Sequence, residues 1–123
     1  MGSAIKILII DDDPTHLKLY SWILERGGFL TTTALVGRNG EDLPSAEHIF
    51  YLTVLDYQFQ TRVKAVDVAK QIRTLWPRMR IVVLSDMMWM PEDIAPLVNG
   101  FVRKANRKYY LIWLQNLLRL VLN

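Results

Sequence analysis

The sequence predicts an α/β domain built on a parallel sheet with helices on both faces. Three observations carry that expectation. Short, nearly all-apolar runs rich in β-branched residues recur at 5–10, 51–55 and 80–84, each stopping at an Asp or a Ser. This is the pattern of strands buried on both sides. Segments with apolar residues at helical spacing lie between such runs, the alternation that calls for parallel strands joined by crossover helices. The length, 123 residues, suits one core and is too short for two cores with a linker.

Taken in order, Ile5 to Ile10 is the first strand and ends in Asp11-Asp12-Asp13-Pro14. Asp13 followed by Pro14 is a helix start, with a side-chain oxygen at the N-cap and a proline where its missing N–H costs nothing. Leu17, Tyr20 and Leu24 give that helix an apolar stripe, and Gly27-Gly28 supplies a left-handed stop. Phe29 to Ala34 is threonine-rich and extended, hence a second strand. The Gly- and Pro-containing stretch from Val36 to Ser45 reads as a loop leading into a short helix near Ala46 to Phe50. Tyr51 to Leu55 is a third strand stopping at Asp56, followed by a polar loop from Tyr57 to Lys64. Ala65, Val68, Ala69, Ile72 and Leu75 recur at helical intervals until Trp76-Pro77 ends the helix. Arg80 to Leu84 is a fourth strand ending at Ser85. Pro91 to Val98 holds a helix of a turn or two, shortened by Pro96. Gly100 to Val102 is a fifth strand before Lys104, and Arg107 to Leu122 a long terminal helix. Right-handed crossovers at this chain length favour the flavodoxin-like (βα)5 arrangement, strand order 2-1-3-4-5, over residues 4–123; residues 1–3 read as a tag or a disordered start.

Composition narrows the function. With 51% hydrophobic and 22% charged residues the chain is of folded globular type. It has no cysteine, so disulfide scaffolds, thiolate metal sites and cysteine nucleophiles are excluded, and a cytoplasmic setting is expected. The net charge of +3 is scattered, which speaks against a direct nucleic-acid surface. The longest apolar run, Tyr109 to Leu114, falls far short of the roughly 20 residues needed to span a bilayer.

The polar residues fall at telling places: Asp11, Asp12, Asp56, Ser85 and Lys104 each follow a predicted strand. In doubly wound sheets that edge holds the ligand, and in the order 2-1-3-4-5 the first and third strands are neighbours. Asp11, Asp12 and Asp56 therefore converge. Two unit charges about 4 Å apart repel by roughly 4 kcal/mol at an effective dielectric near 20, so the cluster needs a counter-charge. Oxygen ligands without cysteine or paired histidine point to a hard divalent ion, Mg2+. A carboxylate beside such an ion can accept a phosphoryl group as an acyl phosphate. The Lys104 ammonium and the Ser85 hydroxyl would then meet the charge on the transferred oxygens.

At these residues the chain resembles the receiver domain of two-component response regulators. The resemblance rests on I-L-I-I-D-D-D-P, L-T-V-L-D, I-V-V-L-S and G-F-V-R-K, in order and spanning nearly the whole sequence. It implies that Asp56 is the phosphoacceptor and that Asp11, Asp12, Asp56 and the Gln58 backbone carbonyl hold Mg2+. It also implies that Lys104 binds the phosphoryl group, that Ser85 and Phe101 act as switch residues, and that a sensor histidine kinase or phosphotransfer protein is the donor. Such a domain is no enzyme beyond self-phosphotransfer and slow autodephosphorylation. The chain departs from the family in the loop after Asp56, in Asp86 after Ser85, and in Ala105 where a proline usually follows the lysine and sets a cis peptide. Slow phosphorylation by small donors is expected.

Two other functions fit the same residues. A degenerate receiver would use the fold as a binding module without phosphate, as the three departures suggest. A phosphatase of the haloacid dehalogenase type would read Asp11-Asp12-Asp13-Pro14-Thr15 as its D-x-D-x-T motif, but it needs an acidic pair after the lysine and no Asp or Glu follows Asp93. Plainer readings stand beside the sharp ones. Asp13 is expected only to cap a helix, Lys104 can belong to a solvated basic turn with Arg103, Arg107 and Lys108, and His16 and His48 are expected at the surface. Trp22 and Trp76 are expected in the core. On the terminal helix, Tyr109, Tyr110, Trp113, Leu117 and Leu120 exceed what one sheet face covers and would leave an exposed patch. Receivers commonly associate through the face formed by the fourth and fifth helices, so a homodimer or a partner dock is expected there, with Met87, Met88, Trp89 and Met90 adding apolar bulk nearby.

Overall fold

The computed structural model describes residues 5–37, 40–41, 43–104 and 110–122. The first apolar run becomes β1 (Lys6–Asp11), the middle of the sheet. It pairs in parallel on one side with β2 (Leu30–Gly37) and on the other with β4 (Leu52–Asp56), so that Ile7 lies level with both Thr31 and Leu52. Beyond β4 come β5 (Arg80–Ser85) and β6 (Gly100–Arg103), both parallel. The five parallel strands thus take the predicted order 2-1-3-4-5, the flavodoxin-like arrangement, and a two-residue β3 (Gly40–Glu41) turns back antiparallel along β2.

Side chains alternate across the sheet into two cores. Ile7, Ile9, Val54, Val82, Leu84 and Val102 face α1 (Pro14–Arg26) and α3 (Tyr110–Leu122). Leu8, Ile10, Leu55, Ile81 and Val83 face α2 (Ala65–Leu75), whose Val68, Ala69 and Ile72 are fully buried. Each buried Val, Leu or Ile contributes about 1.5–3 kcal/mol, so the β-branched runs suffice to fix which segments become strands.

Local chemistry sets the ends of α1. Asp13 Oδ1 accepts the Thr15 N–H at 2.8 Å, Pro14 takes the first helical position, and Gly28 ends the turn with φ +94°. A Cβ there would meet nothing within 4 Å. Gly28→Ala should therefore cost only the left-handed backbone penalty, about 1–2 kcal/mol, read as a lower urea midpoint. Asn in its place should cost less.

Several expectations need correcting. The second strand runs on past Ala34 to Gly37, and residues 46–48 form turns rather than a helix. The fourth helix reduces to a single 3-10 turn, Ala95–Leu97, because Pro96 lacks the N–H that the interior of an α-helix needs there. Arg73 pins this turn, its Nε donating to Leu97 O at 2.8 Å and its Nη2 to Asn99 Oδ1 at 2.9 Å. Among the described residues no fourth α-helix therefore exists to form half of the expected docking face. Trp113 and Leu117 are not exposed either: they are 4% and 1% accessible and belong to the first core. Spaced i, i+4, they form one stripe on α3, and α1 covers it together with the sheet through Tyr20, which stacks on Trp113 at 5.3 Å. Tyr109 lies outside the described residues, as do the side chains of Tyr110 and Leu120. Trp22 is 55% exposed under the Arg26 guanidinium, on the side of α1 away from the sheet. Trp76 is half-buried, edge-on to Phe50. Among the described residues no helix is long and apolar enough to cross a membrane.

Candidate functional site

Neighbouring parallel strands end on the same edge of a sheet, and the register of β1 with β4 pairs Ile10 with Leu55, one residue before each carboxylate. Asp11 and Asp56 are thereby brought together, 0% and 2% accessible. Asp11 Oδ1 accepts the N–H groups of Asp12 at 2.7 Å and Asp13 at 3.3 Å, which holds the loop into α1. Its Oδ2 has no hydrogen-bond partner and lies 3.3 Å from His16 Nδ1, on the first turns of α1. Asp56 Oδ1 accepts the Gln58 N–H at 2.9 Å, and Oδ2 pairs with Lys104 Nζ at 2.8 Å. The lysine reaches this point because β6 continues the ladder one residue on, the Lys104 N–H donating to Ser85 O at 2.7 Å.

The other candidates divide. Asp12 is half-buried, and its Oδ2 accepts the Gln60 N–H at 2.6 Å from the loop after Asp56. Ser85 is fully buried, and its Oγ accepts the Met87 N–H at 3.0 Å. Gln58 is exposed and turns its side-chain Oε1 to the Asp86 N–H at 3.2 Å. Phe101 is half-buried on β6. Asp13 caps α1 as expected. A cavity of ≈ 520 Å³ opens over the site, lined among others by Asp12, His16, Asp56, Gln58, Asp86 and Lys104. Ala105, where the family's proline would stand, lies outside the described residues.

Burial pushes the Asp11 carboxyl up to about 9, and the neighbouring Asp56 charge adds to the effect. A positive charge placed between a buried acid and a second acid relieves the repulsion and desolvation that raise it. Ligand atoms of Asp11, His16 and Asp56 all lie within 4.8 Å of one another. With Oδ2 of Asp11 left without a donor, these residues fit a divalent cation. Against the expectation of a surface residue, His16 is a third member of this cluster, 32% exposed in its side chain. It sits five residues after Asp11, across a strand-to-helix turn, where no single-element period links the two.

No protein-family model and no curated protein sequence matches the chain. Its fold matches many solved structures. The chemotaxis response regulator CheY4 of Vibrio cholerae superposes with a TM-score of 0.77 at 17% identity, over 96% of this chain and 99% of that one. TrrA of Thermotoga maritima, a response regulator solved in complex with Mg2+-BeF, gives 0.68 at 18% identity over 94% and 98%. NtrX of Brucella abortus, solved with ATP, gives 0.73 at 20% identity over 97% of this chain and 27% of that one. The chain has the CheY-like fold of response regulator receiver domains. An Asp11–Asp56 acidic cluster at the carboxyl edge of its sheet is consistent with a phosphoacceptor site.

Proposed function

We propose that the chain is a phosphoacceptor receiver domain that takes a phosphoryl group on Asp56 from a histidine kinase or phosphotransfer protein in the cytoplasm and relays its state to a protein partner. The observation that carries this reading is the Asp56 carboxylate, held at the end of a buried strand with Lys104 Nζ 2.8 Å from Oδ2 and the site opening onto a cavity. Asp11, Asp12, Asp56 and the Gln58 carbonyl are the residues that would hold Mg2+, as in the family this fold is shared with. That ion supplies charge neutralisation for the phosphoryl oxygens. In the transfer an Asp56 oxygen forms the new bond to phosphorus while the bond from phosphorus to the donor nitrogen breaks, its electron pair leaving with the imidazole. Lys104 exchanges its carboxylate partner for a phosphoryl oxygen. The Ser85 hydroxyl, whose oxygen accepts from Met87 N–H, keeps its own proton to donate to another. Moving Ser85 draws on the exposed loop at 86–89 and on β6, where Arg103 lies level with Ser85 and Phe101 two residues back lies level with Val83.

A second reading is favoured by Asp86, which lines the cavity and sets a carboxylate in the path of an anionic donor. In that reading the domain binds its partner without phosphate. Intact mass after incubation with Mg2+ and either acetyl phosphate or a phosphorylated histidine protein decides between them. Addition of one phosphoryl group, absent in Asp56→Asn, is expected, slowly with acetyl phosphate. No addition from either donor leaves the binding module.

A further inference from the structure

We infer that His16 Nδ1 is a ligand to the cation held at Asp11 and Asp56, and that it biases the site toward Mn2+ and Co2+ over Mg2+. This rests on the reading that those carboxylates hold a divalent ion, and goes beyond it by adding a nitrogen donor. Two buried polar atoms face each other without hydrogen-bond partners, Asp11 Oδ2 and His16 Nδ1, and they are 3.3 Å apart. Adjacent donors on an octahedral ion with bonds of about 2.0–2.2 Å stand about 3 Å apart, so the spacing suits a shared cation.

The surroundings of the ring point the same way. A metal-bound imidazole usually turns its other nitrogen to a carboxylate, which fixes the tautomer. Here Nε2 lies 3.6 Å from Asp13 Oδ2, so the N-cap residue of α1 sets a carboxylate on that side of the ring, just beyond hydrogen-bond distance. Tyr20 packs against the imidazole, ring centroids 5.9 Å apart. Asp12 has meanwhile committed Oδ2 to the Gln60 N–H, so part of the oxygen donor capacity expected of the acidic pair is spent on the loop. Oxygen-only sites suit Mg2+, whereas each imidazole nitrogen favours first-row transition ions, increasingly from Mn2+ to Co2+.

The probes are the bare ions added to the full chain without a phosphoryl donor. Electron spin echo modulation of bound Mn2+ should show a directly coordinated nitrogen. The chain holds two histidines, and the signal should persist in His48→Ala and vanish in His16→Ala. Titration calorimetry should find Co2+ and Mn2+ tighter than Mg2+, with His16→Ala lowering Co2+ affinity by about tenfold or more and Mg2+ affinity by under about threefold. Absence of nitrogen coupling in the unmodified protein, equal losses for all three ions, or no binding of any of them overturns the proposal. The two readings fail separately. Phosphorylation of Asp56 with no nitrogen coupling removes the His16 ligand alone, and nitrogen coupling without an acyl phosphate removes the phosphoacceptor alone.

Discussion

Asp11→Asn is expected to stabilise the cation-free protein at neutral and alkaline pH while abolishing its response to divalent ions. Burial and the adjacent Asp56 carboxylate raise Asp11 from 3.8 to about 9. In the unfolded chain the same carboxyl ionises at its ordinary value. Below pH 3.8 both states hold the proton and the raised value costs nothing. Above it the unfolded state gives up the proton first, so stability falls as pH rises and levels off only past the folded value near 9. A carboxyl whose folded and unfolded pKa values differ by one costs about 1.4 kcal/mol once both forms have ionised. Even a small part of the difference at Asp11 therefore makes the neutral amide better by at least about 1 kcal/mol at pH 8. Urea denaturation at pH 5 and pH 8 should show the unmodified protein losing stability between them and Asp11→Asn losing less. Adding Mg2+ should restore the unmodified protein most at pH 8 and leave the variant unmoved. Because binding displaces the Asp11 proton, the apparent Mg2+ affinity should climb by up to about tenfold per pH unit until the carboxyl ionises unaided. A variant less stable than its parent at pH 8 without metal would contradict the assignment.

That single residue shows why so much of the site could be read from sequence. A carboxylate immediately after a run such as I-L-I-I ends the apolar strand and cannot travel far from it, so the strand delivers it, still buried, to the sheet edge. The same logic places Asp56, Ser85 and Lys104, and the parallel topology follows from strands too apolar to have a wet face. What stays hidden depends on how elements meet. His16 joins Asp11 only through the turn between β1 and α1. The signal that could have found it is its position three residues after the N-cap Asp13, on the helix end that faces the same edge. Trp113 and Leu117 look surplus because a sheet face alone cannot cover them, and their burial needs Tyr20 of α1 as well. The short fourth connection is half legible in Pro96, but its anchoring by Arg73, which is 24 residues from Leu97, is a long-range contact no local pattern announces.

Lys104→Met should be among the most damaging single substitutions at the site for stability as well as for phosphoryl acceptance. Lys104 is 17% exposed and Asp56 2%, so the pair is neither a surface contact worth under about 1 kcal/mol nor a dispensable one. Removing the cation leaves Asp56 with the Gln58 N–H on Oδ1 and no counter-charge on Oδ2, beside a second acid. Breaking a buried pair from one side costs about 3–5 kcal/mol. If instead Lys104 belonged to a solvated basic turn, the loss would be under about 0.5 kcal/mol. Asp56→Asn in the same chain separates the two. With the carboxylate gone the lysine has little left to neutralise there, so Lys104→Met added to Asp56→Asn should cost far less than Lys104→Met alone, a coupling of about 2 kcal/mol or more in a double-mutant cycle. Simple additivity of the two substitutions would place the ammonium outside the site's electrostatics. The same cycle bears on function, since a lysine coupled to the carboxylate in the resting state is positioned to follow the charge when a phosphoryl group arrives on that oxygen.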